Sequence, residues 1–105
     1  MKRAMLLFGM LASASLAMAL DGASTDRGKQ LFTSTQLGTS GKSCNSCNPG
    51  GKGLEKAASY GEVALGEIIN QCITNPLKGK ALDPKSAEMK SLIIYLKTLA
   101  PPARQ

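Results

Sequence analysis

The chain has 105 residues, 43% hydrophobic but only 4% aromatic, with no tryptophan, no histidine and a formal charge of +6. That length bounds it to one small domain, and small domains this poor in large apolar side chains usually lean on a disulfide, a metal or a cofactor. The lack of histidine excludes an imidazole ligand to any metal, and the basic excess comes without a basic run or aromatics interleaved with lysines, which excludes a nucleic-acid-binding face.

In chain order, Lys2 and Arg3, an apolar run from Ala4 to Leu16, and Ala17 and Ala19 flanking Met18 have the layout of a secretory signal peptide. Cleavage is expected after Ala19. The apolar run is shorter than the roughly 20 residues a membrane span needs. The expected division is a signal peptide over 1–19 and one domain over 20–105, exported to the periplasm without a membrane span once the signal is removed. Its thiols would meet an oxidising compartment. Of the 13 basic residues, loss of Lys2 and Arg3 leaves 11 against 7 acidic ones. That excess is enough to steer the chain towards acidic partners.

Ser24 or Thr25 caps a first helix through Leu31 and Phe32, with Asp26 in its first turn. Gly28 lies one turn before Phe32 and permits a close helix crossing. From Thr35 to about Ala57 the chain is rich in glycine, serine, threonine and asparagine and shows no apolar period. Such a segment is unusual inside a compact domain unless it is functional. Ser59 and Glu62 have capping-box spacing for a second helix, whose Leu65, Ile68, Ile69, Cys72 and Ile73 share one face. Asn75 and Pro76 end it. After the basic loop Leu77-Lys78-Gly79-Lys80, Asp83 or Ser86 caps a last helix with Met89, Leu92, Ile93, Leu96 and Leu99 on its apolar stripe, stopped by Pro101 and Pro102. No segment alternates as a strand would. An all-α fold of about three main helices with long loops is predicted.

In the middle of the glycine-rich loop lies Cys44-Asn45-Ser46-Cys47-Asn48. Two cysteines separated by two residues and followed by histidine form the site of covalent haem attachment. Here the residue after the pair is Asn48. With its capped first helix, its C-N-S-C loop and its last helix Glu88-Met89-Lys90-Ser91-Leu92-Ile93-Ile94-Tyr95-Leu96, the chain resembles the class I cytochrome c domain over nearly all of residues 20–105. The resemblance implies a cytochrome c-like fold around a haem pocket. It also implies crossing of the first and last helices, with Tyr95 meeting Gly28 and Phe32. The segment from Cys72 to Leu82 looks more specifically like cytochromes of bacterial sulfur metabolism, some of which use a cysteine as the sixth iron ligand.

Carried over residue by residue, Cys44 and Cys47 match the thioether positions for covalent haem c, and Asn48 occupies the proximal-ligand position without matching it. An amide is a poor ligand for haem iron. The chain is thus a cytochrome whose ligand was changed, a haem-free descendant, or a protein with other ligation. Residues 74–85 contain no methionine, so the distal candidates are Cys72 and, as runner-up, Met89. Each also has a plain reading as a core residue.

The expected function is electron transfer by a monomeric, periplasmic, non-enzymatic monohaem carrier, docking transiently through Lys42, Lys52, Lys78 and Lys80 onto an acidic redox protein. The alternative is a haem-free, cytochrome-like binding or thiol–disulfide module, with Cys44 and Cys47 as a short disulfide or redox dithiol. A role in sulfur-compound oxidation is a more distant option. A thioredoxin-like enzyme would need a βαβ setting, and a structural zinc site would need a fourth ligand.

Overall fold

A computed structural model describes residues 22–99; the signal-peptide reading over 1–19 and the stop signals Pro101 and Pro102 lie outside them. Four α-helices occur among the described residues: α1, Thr25–Thr33; α2, Cys44–Cys47; α3, Glu62–Thr74; and α4, Ala87–Lys97. Short 3-10 turns lie at Pro49–Gly51 and Ala57–Ser59. Among the described residues there is no strand beyond an isolated antiparallel bridge between Gly38 and Gly79, so the all-α prediction holds there.

Ser24 caps α1, its side chain accepting from the Arg27 N–H at 3.0 Å. The Ser24 N–H in turn donates to the buried Ser91 Oγ at 3.0 Å, which ties the start of α1 to the middle of α4. The α1–α4 contact is the most extensive between helices. It is close because Gly28 has no side chain: a Cβ there would lie 2.0 Å from the Ser91 carbonyl oxygen and 2.6 Å from the Tyr95 Cβ. One turn on, the Phe32 and Tyr95 rings pack tilted, with centroids 5.4 Å apart. Tyr95 therefore meets both residues expected to face it. The Arg27–Glu88 ion pair at 2.8 Å bridges the same two helices, but both side chains are partly exposed, so it adds at most about 1 kcal/mol.

The core consists of Phe32 from α1, Cys44 from α2, Leu65, Ile69 and Ile73 from α3, Leu77, and Met89, Leu92, Ile93 and Leu96 from α4. The apolar face read for α3 is thus correct, with Ile68 and Cys72 half-buried at its margin. The stripe on α4 is buried as far as Leu96, while Leu99 lies beyond the helix end. Leu99 would touch any side chain placed on Gly51, which is buried at φ 87°. The basic loop after α3 contributes more than charge, because Leu77 is fully buried.

One local expectation needs correction, and the alternative caps of the last helix resolve to one of the two named. The Ser59–Glu62 capping box does not form: Ser59 closes its own 3-10 turn, donating to the Lys56 carbonyl at 2.7 Å, and the chain then runs extended through Tyr60 to Gly61, the actual N-cap. A reciprocal box occurs instead at α2, where Ser43 and Ser46 exchange side-chain bonds with each other's backbone N–H groups at 2.9 and 3.1 Å. For the last helix, Ser86 rather than Asp83 is the cap, accepting from the Met89 N–H at 3.1 Å.

Candidate functional site

The Cys44–Cys47 segment is held from three directions. Its N-terminal approach is pinned to the loop after α3, where the Thr39 and Ser40 N–H groups donate to the Lys78 and Leu77 carbonyls at 3.2 and 3.1 Å. Glycine is needed at both ends of this bridge, since a Cβ on Gly38 or Gly79 would lie about 2 Å from a carbonyl oxygen of the opposite strand. The Ser43–Ser46 box then closes α2, and Gly50 N–H donates to the Asn45 side chain at 2.8 Å on the far side. Short backbone bonds do here what apolar side chains do elsewhere, which is why a segment without apolar period is nonetheless ordered.

This anchoring brings together two cysteines that are distant in sequence. Cys44 is 6% exposed and belongs to the core, whereas Cys47 is exposed. Cys72, half-buried on the margin of α3, packs against that core. Burial pushes the Cys44 thiol up from 9.0 to about 12, helped by the nearby Cys72. Burial also raises Cys72, but the hydrogen bond from Cys44 opposes that rise. Burial thus keeps both thiols protonated well above neutral pH.

A prediction follows for the reduced chain. The unfolded state releases the Cys44 proton near pH 9.0 and the folded state only near 12. Above pH 9.0 the unfolded chain binds fewer protons, so stability falls as pH rises towards 12. Cys44→Ala should flatten this alkaline limb in denaturant melts recorded on either side of pH 9.0; an unchanged slope refutes the assignment.

Asn48 caps the end of α2, and its side-chain amide donates to the Lys52 carbonyl at 3.0 Å. Met89, the runner-up distal candidate, is buried with its sulfur 3.7 Å from where a Cβ on Gly66 would stand, six residues before Cys72 on α3. Met89 belongs to the same buried cluster as Cys44, and Cys72 packs against that cluster. A cleft of about 350 Å³ between α3 and α4, lined by Val63, Gly66, Asn70 and Ile93 among others, contains none of the cysteines. No cluster of three or more metal-ligating side chains occurs among the described residues.

Tested against haem c, this donor set fits in two respects and fails in one. Cys44 and Cys47 lie one turn apart on a short helix, and Cys72 adds a sulfur donor packed against the same core. The Asn48 amide nitrogen has no free lone pair to offer a metal, and it is engaged with the Lys52 carbonyl. The cysteine pair was legible from its spacing, but the Gly38–Gly79 bridge and the buried Leu77 that align Cys72 with it were not. Paired glycines at the two loop ends were the only signal available. No family model, curated protein or solved structure matches the chain. No helix among the described residues is long and apolar enough to cross a membrane.

Proposed function

We propose that the chain is the polypeptide of a small exported c-type cytochrome, an electron carrier whose proximal ligand position is taken by Asn48. The observation that carries this reading is a fold whose first and last helices cross at Gly28 and whose core takes in Cys44, with Cys72 packed against it. Cys44 and Cys47 would hold haem c through thioethers, and Cys72 would offer a sulfur ligand to the iron. Bound haem supplies a one-electron ferrous–ferric couple. The chain's own residues would shield the group: Phe32, Leu65, Ile69 and Leu96 belong to the apolar core that contains Cys44.

The test is a visible spectrum, with alkaline pyridine haemochrome, of the periplasmically expressed chain and of Asn48→His prepared beside it. Covalent haem in the histidine form supports the reading. Absence of haem from both forms overturns it and leaves the thiol–disulfide module in its place.

Docking on an acidic redox protein is the remaining part of the proposal. Lys42, Lys52, Lys78 and Lys80 are all exposed. What supports a shared basic rim is the bonding of Thr39 and Ser40 to the Lys78 loop, which sets that loop beside the approach to Lys42. Replacing Lys78 and Lys80 by glutamate in the haem-loaded Asn48→His protein should slow electron exchange with an acidic partner, and more so at low salt. A salt dependence equal to that of the parent contradicts the docking face.

A further inference from the structure

The cleft between α3 and α4 takes no part in the reading above, and it does not stand alone. Glu62, Lys90 and Ile93 also line a neighbouring hollow that reaches Ala23 and Ile94, and Glu67 and Asn70 line another that reaches Thr74. One face therefore runs along both helices. Its apolar residues are open to solvent, with Val63 80% exposed and Ile94 39%. Gly66 lines the cleft between them, although nothing inside the chain calls for glycine there. A Cβ would meet the Met89 sulfur at 3.7 Å and the Ile93 Cδ1 at 3.9 Å, ordinary van der Waals distances. Glycine in a helix interior is disfavoured against alanine by about 1 kcal/mol. The hollow is thus kept open where packing within one chain would accept a side chain.

The charges around this face are sorted by side. Glu62 and Glu67 stand on α3, Lys90 stands on α4, and Lys85 lies just before it. All four are exposed, and the only ion pair among the described residues is Arg27–Glu88. The acidic and basic sides of the cleft therefore do not pair with each other. Each end of the face carries one charge of each sign. Glu62 and Lys90 share the end towards Ile94. Glu67 and Lys85 share the end where the Asn70 side chain exchanges bonds with the Leu82 backbone at 2.9 and 2.8 Å, which holds the loop before α4 against α3. An apolar face with acid along one side and base along the other is complementary to itself.

We infer that the α3–α4 face docks a second copy of this chain in a symmetric dimer. A two-fold axis lying along the cleft lays α3 of one copy over α4 of the other. Glu62 then meets Lys90, Glu67 meets Lys85, and Val63 meets Ile93 and Ile94, each contact occurring twice. The 13 residues of α3 span about 20 Å, and two adjacent helices are about 20 Å across. Such a face hides about 400 Å² on each copy, about 800 Å² in all, below the roughly 1,200 Å² at which stable interfaces begin. The dimer is accordingly weak and reversible, with a Kd on the order of 0.1 mM. At much lower concentration the chain is the monomer expected from its sequence.

The experiment is sedimentation equilibrium of the purified haem-free protein from about 0.01 to about 1 mM, a range that brackets this constant. The average mass should climb from that of one chain towards twice that value, and added salt should oppose the climb. Lys90→Glu and Glu62→Lys should each weaken association by about 10-fold or more, since each puts like charges together at two places. Combined in one chain, the two reversals recreate both pairs with their signs exchanged, and association should return. Val63→Asp, which sets a charge in the apolar strip, should abolish it. All four variants alter exposed side chains, so their circular dichroism should match that of the parent. A mass that stays at one chain throughout overturns the inference. So does association that the single reversals leave intact, or a double reversal no better than either alone. No cysteine and no residue of the haem-attachment motif is involved, so the outcome is independent of the electron-carrier reading.

Discussion

Asn48→His is expected to carry stoichiometric covalent haem when exported alongside haem-attachment machinery, and the chain with Asn48 is expected to remain largely colourless. The resemblance to c-type cytochromes implies machinery that recognises the histidine following the cysteine pair. The imidazole it provides is a strong iron donor, while an amide is not. The substitution should do little to the haem-free fold. What Asn48 loses is one partly exposed bond to the Lys52 carbonyl, worth about 1 kcal/mol. Asn48→Ala removes the same bond without supplying an imidazole, and it should fold as well as the histidine form and stay colourless. Circular dichroism of all three separates loss of folding from loss of ligation. Equal haem content in the asparagine, alanine and histidine forms would show that position 48 is not the proximal ligand position. Cys72→Ser in the loaded histidine form should alter the visible spectrum if Cys72 is the axial partner; Met89→Leu should leave it unchanged.

Gly28→Ala is expected to be strongly destabilising for a change of a single methyl group. Intrinsic preference points the other way, since alanine is favoured over glycine in a helix interior by about 1 kcal/mol. Packing decides the sign. The added Cβ would lie 2.0 Å from the Ser91 carbonyl oxygen and 2.6 Å from the Tyr95 Cβ, and both are fixed in α4 rather than at the end of a flexible side chain. The helices would have to separate, opening the Phe32–Tyr95 ring contact and stretching the bond from Ser24 to Ser91. A net loss of about 3 kcal/mol is expected, and with it a fall in melting temperature of more than about 10 °C. Gly61→Ala is the matched control: Gly61 also borders a helix, but no atom lies near its would-be Cβ, so its effect should be small. Equal stability of the two variants would mean that α1 and α4 do not cross as described.

The same crossing shows how far local pattern reaches. The helical period placed Leu65, Ile69 and Ile73 on one face of α3 and Met89, Leu92, Ile93 and Leu96 on one face of α4, and all seven are buried. A period is legible because burying one face of a helix requires the apolar residues to recur every three or four positions. Helix starts were less legible. Serines stand before both Glu62 and Met89 at suitable spacing, yet only Ser86 caps its helix, while the Ser59 hydroxyl is drawn into its own turn. The glycine-rich loop was least legible. Its order comes from the Ser43–Ser46 exchange and from backbone bonds to residues 77 and 78, and backbone groups are the same in every sequence.

By itself, then, the sequence determined that the described chain would be helical, which faces its helices would bury, and that a C-x-x-C pair followed by Asn48 lies in its glycine-rich loop. Each of these follows from local periodicity or from spacing along the chain. Only the tertiary structure decided how each thiol would be set: Cys44 is buried in the core, Cys47 three residues on is exposed, and Cys72, far along the chain, packs against the same core. That choice depends on the Gly38–Gly79 bridge folding one loop against another, where two carbonyl oxygens leave no room for any side chain.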